Sequence, residues 1–351
     1  MSKIIAASHA LPPHIAHQSV IRELVQGLFS NRVAELERLL AIFDHARIDT
    51  RQFMMPLDWY LAPHPPAERT RIYQEQGLEL MVQAAGRCLE KAGCAPAEIN
   101  QIIVVSSTGH ATPTLDAHLI NRLGLRPNTT RLPLWGLGCA GGAAALARAV
   151  DYCRAYPEQH VLVVALECCS LTFMAADVSK KNLVATALFA DGAAAALVSG
   201  DHTKRLGPQM LASRSQLFPD TYRIMGWDFV GQEMQLVLSP RLPTLIRQEL
   251  RPLIDDFFTA HGVNRAEVRH FITHPGGARV IDVYRDVLDL HGDELALTEA
   301  ALREHGNVSS VSVLLVLEAW LASNPSQTPG YGLISAFGPG FSAELLLLQV
   351  E

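Results

Sequence analysis

Basic runs, long apolar runs and paired cysteines are all missing from this 351-residue chain, and each absence removes a class of function. The 29 Lys and Arg against 35 Asp and Glu leave a net charge of −6, with no cationic cluster to neutralise phosphates, which argues against a nucleic-acid partner. No apolar stretch approaches a membrane span, and Ser8, His9, Pro12 and Pro13 interrupt the N-terminus where a secretory signal needs charged and apolar regions. A cytoplasmic location is therefore expected. The six cysteines, Cys88, Cys94, Cys139, Cys153, Cys168 and Cys169, show neither CxxC spacing nor disulfide-scaffold density, so reduced thiols and no metal are expected. No Gly-rich dinucleotide motif follows a strand, so no redox cofactor is expected.

What the chain has is core-forming material. With 49% hydrophobic and 18% charged residues, it suits two intimately packed halves better than one ordinary domain. Residues 132–152 are the densest part, and from Cys139 to Cys153 the only charges are Arg148 and Asp151. A helix there is apolar almost all round and must run through the core. Gly138, Gly141 and Gly142 around Cys139 allow a tight turn, and the first turn of a helix presents unpaired N–H groups and a positive dipole end, an environment that favours thiolate. A cysteine buried purely for packing fits this stretch equally well.

A second segment repeats the pattern. Gly306-Asn307 opens a small-residue turn into an apolar helix as Gly138-Cys139 does, and 307 − 139 gives an offset of 168. The following apolar strands, 161–167 and 331–337, keep nearly the same offset, since 331 − 161 gives 170. The chain is internally duplicated, with a joint at residues 200–208 and halves expected at 1–205 and 206–351.

Hydrophobic periodicity predicts strands at 3–7, 101–106, 193–198, 234–238 and 271–273, and helices at 19–29, 33–45, 67–91, 115–123 and 242–261. Residues 49–66 read as an irregular wrap, and 213–231 show no clear pattern. Arg32 and Arg38 read as solvated surface arginines, with a phosphorylated ligand as the other possibility. His274 stands at a strand end before Pro275-Gly276-Gly277, and Asn307 also fits an ordinary helix N-cap.

Four segments, Gly138-Cys139-Ala140-Gly141-Gly142, His274-Pro275-Gly276-Gly277, Gly306-Asn307-Val308-Ser309-Ser310 and Ala336-Phe337-Gly338-Pro339-Gly340-Phe341, resemble in sequence and order the signatures of the type III polyketide synthases, the chalcone synthase-like enzymes. The resemblance is firm from about residue 100 onward and loose before it. Val308 and Ala336 depart mildly from common family residues.

The resemblance implies an α/β thiolase fold, a duplicated five-layer αβαβα sandwich, and a homodimer acting on acyl-CoA and malonyl-CoA. It assigns Cys139 as nucleophile and His274 and Asn307 as the donors that stabilise the decarboxylation enolate. Phe189 matches a gatekeeper between CoA tunnel and cavity, a second gatekeeper falls within 236–238, and Thr112 matches a position reaching the partner's cavity. Cys169 matches a cavity-lining position, Ser309 belongs to the Asn307 signature, and Phe337, Gly338, Pro339 and Gly340 match the loop that shapes the cyclisation cavity. Small residues at Cys169 and Thr112, with apolar Leu171, Phe173 and Met174 nearby, point to a medium- to long-chain fatty acyl starter and alkylpyrone or alkylresorcinol products. A small or aromatic starter, or malonyl-CoA alone, stays open. So do an initiating ketoacyl synthase of fatty-acid synthesis and a non-catalytic thiolase-fold partner protein.

Overall fold

The apolar runs fold into strands covered on both faces by helices. The computed structural model describes every residue except 31, 34, 231 and 232. Ala34, inside the second expected helix, and Gly231, closing the unpatterned stretch, therefore lie outside the described residues. Up to residue 200 the elements are β1 (Ser2–Ala10), β2 (His14–His17), α1 (Gln18–Phe29), α2 (Leu36–His45), β3 (Thr50–Phe53), α3 (Pro66–Ala92), β4 (Ile99–Ser106), α4 (Leu115–Leu123), β5 (Thr130–Trp135), α5 (Gly141–Ala155), β6 (His160–Cys168), α6 (Lys180–Leu188) and β7 (Asp191–Gly200). Then follow β8 (Gln209–Leu217), β9 (Met225–Val230), β10 (Glu233–Leu238), α7 (Leu242–Ala260), β11 (Val268–Thr273), α8 (Ala278–Leu288), α9 (Ala296–His305), α10 (Ser312–Ala322), β12 (Gly330–Gly338) and β13 (Ser342–Val350).

Nine strands join in the order β11-β12-β13-β8-β1-β7-β6-β4-β5. The join between the two sets is slight, because β1 pairs with β8 only through Ser2–Met210 and Lys3–Gln209. On one side β4 runs parallel to β6, and β6 antiparallel to β7; on the other β11 runs parallel to β12, and β12 antiparallel to β13. The order β4-β6-β7-β1 thus matches β11-β12-β13-β8, and the repeat seen in the spacing is a repeat of strands.

Strand periodicity sorts the side chains into layers. Val161, Val163 and Ala165 of β6 face the same core as α5 and α10, while Leu162, Val164 and Leu166 face α3. In β12, Ile334 and Ala336 face the central helices, and Leu333 and Phe337 face α7 and α8. The result is helix, sheet, central helices, sheet, helix. Gly142 makes the close central packing possible, because a Cβ there would fall 2.3 Å from the Ser310 carbonyl oxygen. Two expectations change. The wrap at 49–66 contains β3, which pairs with β2, and the unpatterned stretch contains the end of β8 and β9. Consecutive polar residues such as Ser213, Arg214, Ser215 and Gln216 occupy both faces of β8 and leave no apolar alternation to mark it.

Candidate active site

The central helices start where the two repeats meet, and Cys139 and Asn307 meet there with them. Cys139 lies in a short 3₁₀ turn, Gly138–Ala140, leading into α5. Two contacts fix that turn: Gly138 N–H donates to Ser107 Oγ at 2.9 Å, and Gly338 packs so closely that a Cβ on it would lie 2.6 Å from Ala140 Cβ. Cys139 Sγ points at Asn307 Oδ1, 3.9 Å away, and at Ser309 Oγ, 3.8 Å away.

Asn307 is gripped from both ends. Its backbone pairs with Leu188 and Ala190, and Gly306 before it takes φ +67, a left-handed conformation suited to glycine. Oδ1 accepts from Ser309 N–H at 2.8 Å, and Nδ2 donates to the Gly276 carbonyl at 3.2 Å. That leaves the second Nδ2 hydrogen without a partner among the described residues, free to meet a ligand oxygen. Ser309 itself is at φ +48, an uncommon conformation for serine that places its hydroxyl beside the sulfur.

His274 follows β11, and its N–H donates to the Ser335 carbonyl at 2.8 Å. Its ring is buried, and neither nitrogen has a partner among the described residues. A Cβ on Gly276 would lie 3.5 Å from Nε2, so the ring stands against the glycine whose carbonyl holds Asn307. Burial lowers the His274 pKa to about 3, keeping the imidazole neutral. Burial likewise pushes the Cys139 thiol up to about 12, outweighing the opposing hydrogen bonds from Ser309 and Asn307. Desolvation thus disfavours charge on the Cys139 thiol and on the His274 ring alike, against the helix-start effect that favours thiolate.

Beneath the site is a carboxyl group that sequence inspection passed over. Glu167, fully buried at the end of β6, accepts from Ser310 Oγ at 2.5 Å, Thr108 Oγ1 at 2.8 Å and Ser107 N–H at 3.1 Å. Burial raises its pKa to about 7. Its one sequence signal was a single charge ending an otherwise apolar strand.

The sequence matches the chalcone and stilbene synthase N-terminal domain over residues 1–202 and the C-terminal domain of the same family over residues 209–350. The chain belongs to the type III polyketide synthases. It is 37% identical to a 1,3,6,8-tetrahydroxynaphthalene synthase from Streptomyces peucetius, over 98% of this chain and 92% of that one. It is 30% identical to a phloroglucinol synthase from Pseudomonas fluorescens, over 98% of each. The crystal structure of 1,3,6,8-tetrahydroxynaphthalene synthase from Streptomyces coelicolor superposes with a TM-score of 0.95 at 30% identity, covering 99% of both chains. The fold is the thiolase fold, and the protein is an acyltransferase whose family needs no cofactor beyond its CoA thioester substrates.

A cavity with about 700 Å³ of empty space, its mouth included, has Phe189 and Cys169 in its wall. Phe189 bridges to Asn307 on one side and meets Trp227 at 6.0 Å on the other. Phe173, Met174 and Leu236 also line the cavity. Of the stretch 236–238, Leu236, opposite Trp227 in the β9–β10 pairing, is the residue among those lining the cavity. Pro339 packs on the Cys139 turn, with its Cδ 2.8 Å from where a Gly138 Cβ would be, and Gly340 turns the loop at φ +112.

Three expected residues lie elsewhere. Phe337 is stacked between Tyr284 and Phe341 in the outer core, because the strand period that points Ala336 inward points Phe337 away. Leu171 packs into the core beneath α3. Thr112 is exposed on the loop between β4 and α4 and does not line the cavity of its own chain. Arg32 donates to the Ala175 and Ala176 carbonyls, and exposed Arg38 pairs with Glu35.

Proposed function

We propose that this synthase loads a medium- to long-chain fatty acyl group onto Cys139 and extends it two or three times with malonyl-CoA, giving alkylpyrones or alkylresorcinols. The observation carrying this reading is the cavity beside Cys169 and Phe189, whose walls include Ile21, Leu24, Phe53, Phe173 and Met174. Each buried methylene contributes about 0.8 kcal/mol, so such a cavity favours longer starters by several-fold per carbon. The protein acts as a cytoplasmic homodimer made of an N-terminal half, 1–205, and a C-terminal half, 206–351.

In this reading Cys139 begins as a thiol. Its proton passes to His274 as the sulfur attacks the acyl-CoA carbonyl, and CoA leaves as a thiol by taking that proton back. Malonyl-CoA then loses CO₂, and the electron pair left behind forms an enolate. The free N–H of Asn307 hydrogen-bonds the thioester oxygen as it becomes charged, joined by His274 in the tautomer that carries its hydrogen on Nε2. The enolate carbon attacks the carbonyl held by Cys139 and displaces the sulfur as a thiolate, leaving the extended chain on CoA; that thiolate then takes the chain back, and the CoA thiolate released is protonated by water. Tethering beside the cavity supplies the proximity.

The test is a series of acyl-CoAs supplied with malonyl-CoA, with products identified by mass spectrometry, for wild type and Cys169→Phe. Wild type is expected to favour longer starters and the variant to lose that preference. An unchanged preference, or none in wild type, removes the fatty starter. A small starter or malonyl-CoA alone is the second reading, favoured by the polar groups among the lining residues, Arg51, Ser170, Asp177 and Asn182.

A further inference from the structure

Arg51 is the bulkiest of the fully buried side chains, 1% exposed, and it lines the same cavity. Nε donates to Gln18 Oε1 at 3.0 Å, and Nη1 donates to the carbonyls of Thr186 at 2.6 Å and Phe189 at 2.8 Å. Nη2 is buried and has no hydrogen-bond partner among the described residues, while the guanidinium carbon stands 5.3 Å from the centre of the Phe53 ring. Nor does a carboxylate pair with it: the nearby Asp191 accepts from Met54 N–H, Ser170 N–H and the Ser170 hydroxyl instead. The stem lies against the turn that carries Asn307, where a Cβ on Gly306 would fall 2.8 Å from Arg51 Cδ.

A buried cation with an unpaired donor is costly, and neither packing nor the anchoring of two carbonyls requires one. Through its stem Arg51 adjoins the Gly306–Asn307 turn, and through Nη1 it holds the carbonyl of Phe189, the residue that bridges to Asn307. We propose that Arg51 Nη2 binds an acceptor oxygen on the third carbon of the acyl chain, the ketone or enolate oxygen that a condensation adds. This rests on the polyketide synthase mechanism above. A fatty starter has no such oxygen, so Arg51 distinguishes a chain that has been extended from one that has not, and holds the extended chain for its next round. The malonyl carboxylate occupies the same carbon. Holding it by a guanidinium would stabilise the ground state and slow its loss as CO₂, which favours the ketone.

Octanoyl-CoA and 3-oxooctanoyl-CoA differ only at that carbon. The concentration dependence of Cys139 acylation, followed by intact-protein mass spectrometry, is expected to show about tenfold or tighter binding of the 3-oxo thioester by wild type, the scale of one charge-assisted hydrogen bond. Arg51→Lys and Arg51→Met are expected to reduce that preference, taken as the ratio of the two thioesters within each variant, to near unity. Equal binding of the two thioesters by wild type overturns the proposal and requires no variant to fold. An unchanged preference in both variants overturns it as well. A raised KM for malonyl-CoA decarboxylation in Arg51→Lys with the 3-oxo preference intact gives Nη2 to the malonyl carboxylate and overturns the assignment to the ketone. Failure of either thioester to acylate Cys139 overturns instead the mechanism on which the proposal rests.

Discussion

Replacing Cys139 by alanine separates the two halves of the chemistry, because Asn307 is held by Gly276 and Ser309 rather than by the sulfur. The variant is expected to decarboxylate malonyl-CoA while polyketide formation falls below about one thousandth of wild type. Product at wild-type levels would show that another residue is the nucleophile. His274 also leaves a signature in stability. Its pKa is lowered to about 3 in the fold, so the unfolded chain, titrating near 6.5, binds the proton first as the pH falls. Stability tied to the neutral ring is present above pH 6.5 and is lost progressively toward pH 3. Denaturant unfolding of wild type and His274→Gln should therefore diverge on acidification, wild type losing roughly 3 kcal/mol more by pH 4. Parallel pH profiles would mean that the ring is not held neutral.

Close approach of the N-terminal end of α5 to the turn before α10 brings Cys139 and Asn307 together, and two glycines test it. A Cβ at Gly142 meets a backbone oxygen at 2.3 Å, an atom that cannot swing aside. Gly142→Ala is expected to cost about 1–3 kcal/mol and to lower acylation of Cys139, because the Ser309–Ser310 turn must move. Gly86 lies in α3 with nothing within 4 Å of an added Cβ, so Gly86→Ala is expected to stabilise by about 0.5–1 kcal/mol with activity unchanged. Equal stabilities for the two variants, measured by urea unfolding, would remove the close packing as the reason for Gly142.

The nine-stranded sheet ends at β5, an edge strand whose residues are exposed or half-buried. Trp135 at its end is 49% exposed and lies 6.1 Å from the ring of Phe229, itself 54% exposed, with His110 against both. An unpaired edge flanked by exposed rings is a surface that a second copy would cover. Exposed Thr112 stands on the loop that follows β4, whose last residue, Ser106, pairs with Trp135. Analytical ultracentrifugation is expected to show a dimer, and Trp135→Asp to weaken it; a monomeric wild type would oppose the homodimer.

Much of this was legible in the sequence because it depends on order and period. The 168-residue offset between Cys139 and Asn307 is a property of the chain, and two apolar helices opening with small residues have nowhere to go but the centre. Strands such as β6 and β7, apolar on both faces, announce a buried sheet. What the linear pattern could not supply is direction and solvation. Phe337 and Ala336 are adjacent and both apolar, and only the pairing of β12 decides which faces the central helices. A helix start beside Cys139 argues for thiolate until the depth of burial is known, and depth belongs to the packing of both halves together. Arg51, read as one more charge in an irregular wrap, becomes a buried cation with one free donor once β3 pairs with β2 and α6 closes over it. Sequence determined which groups this protein could bring to the reaction; the tertiary structure decided which of them are stripped of water and which way they point.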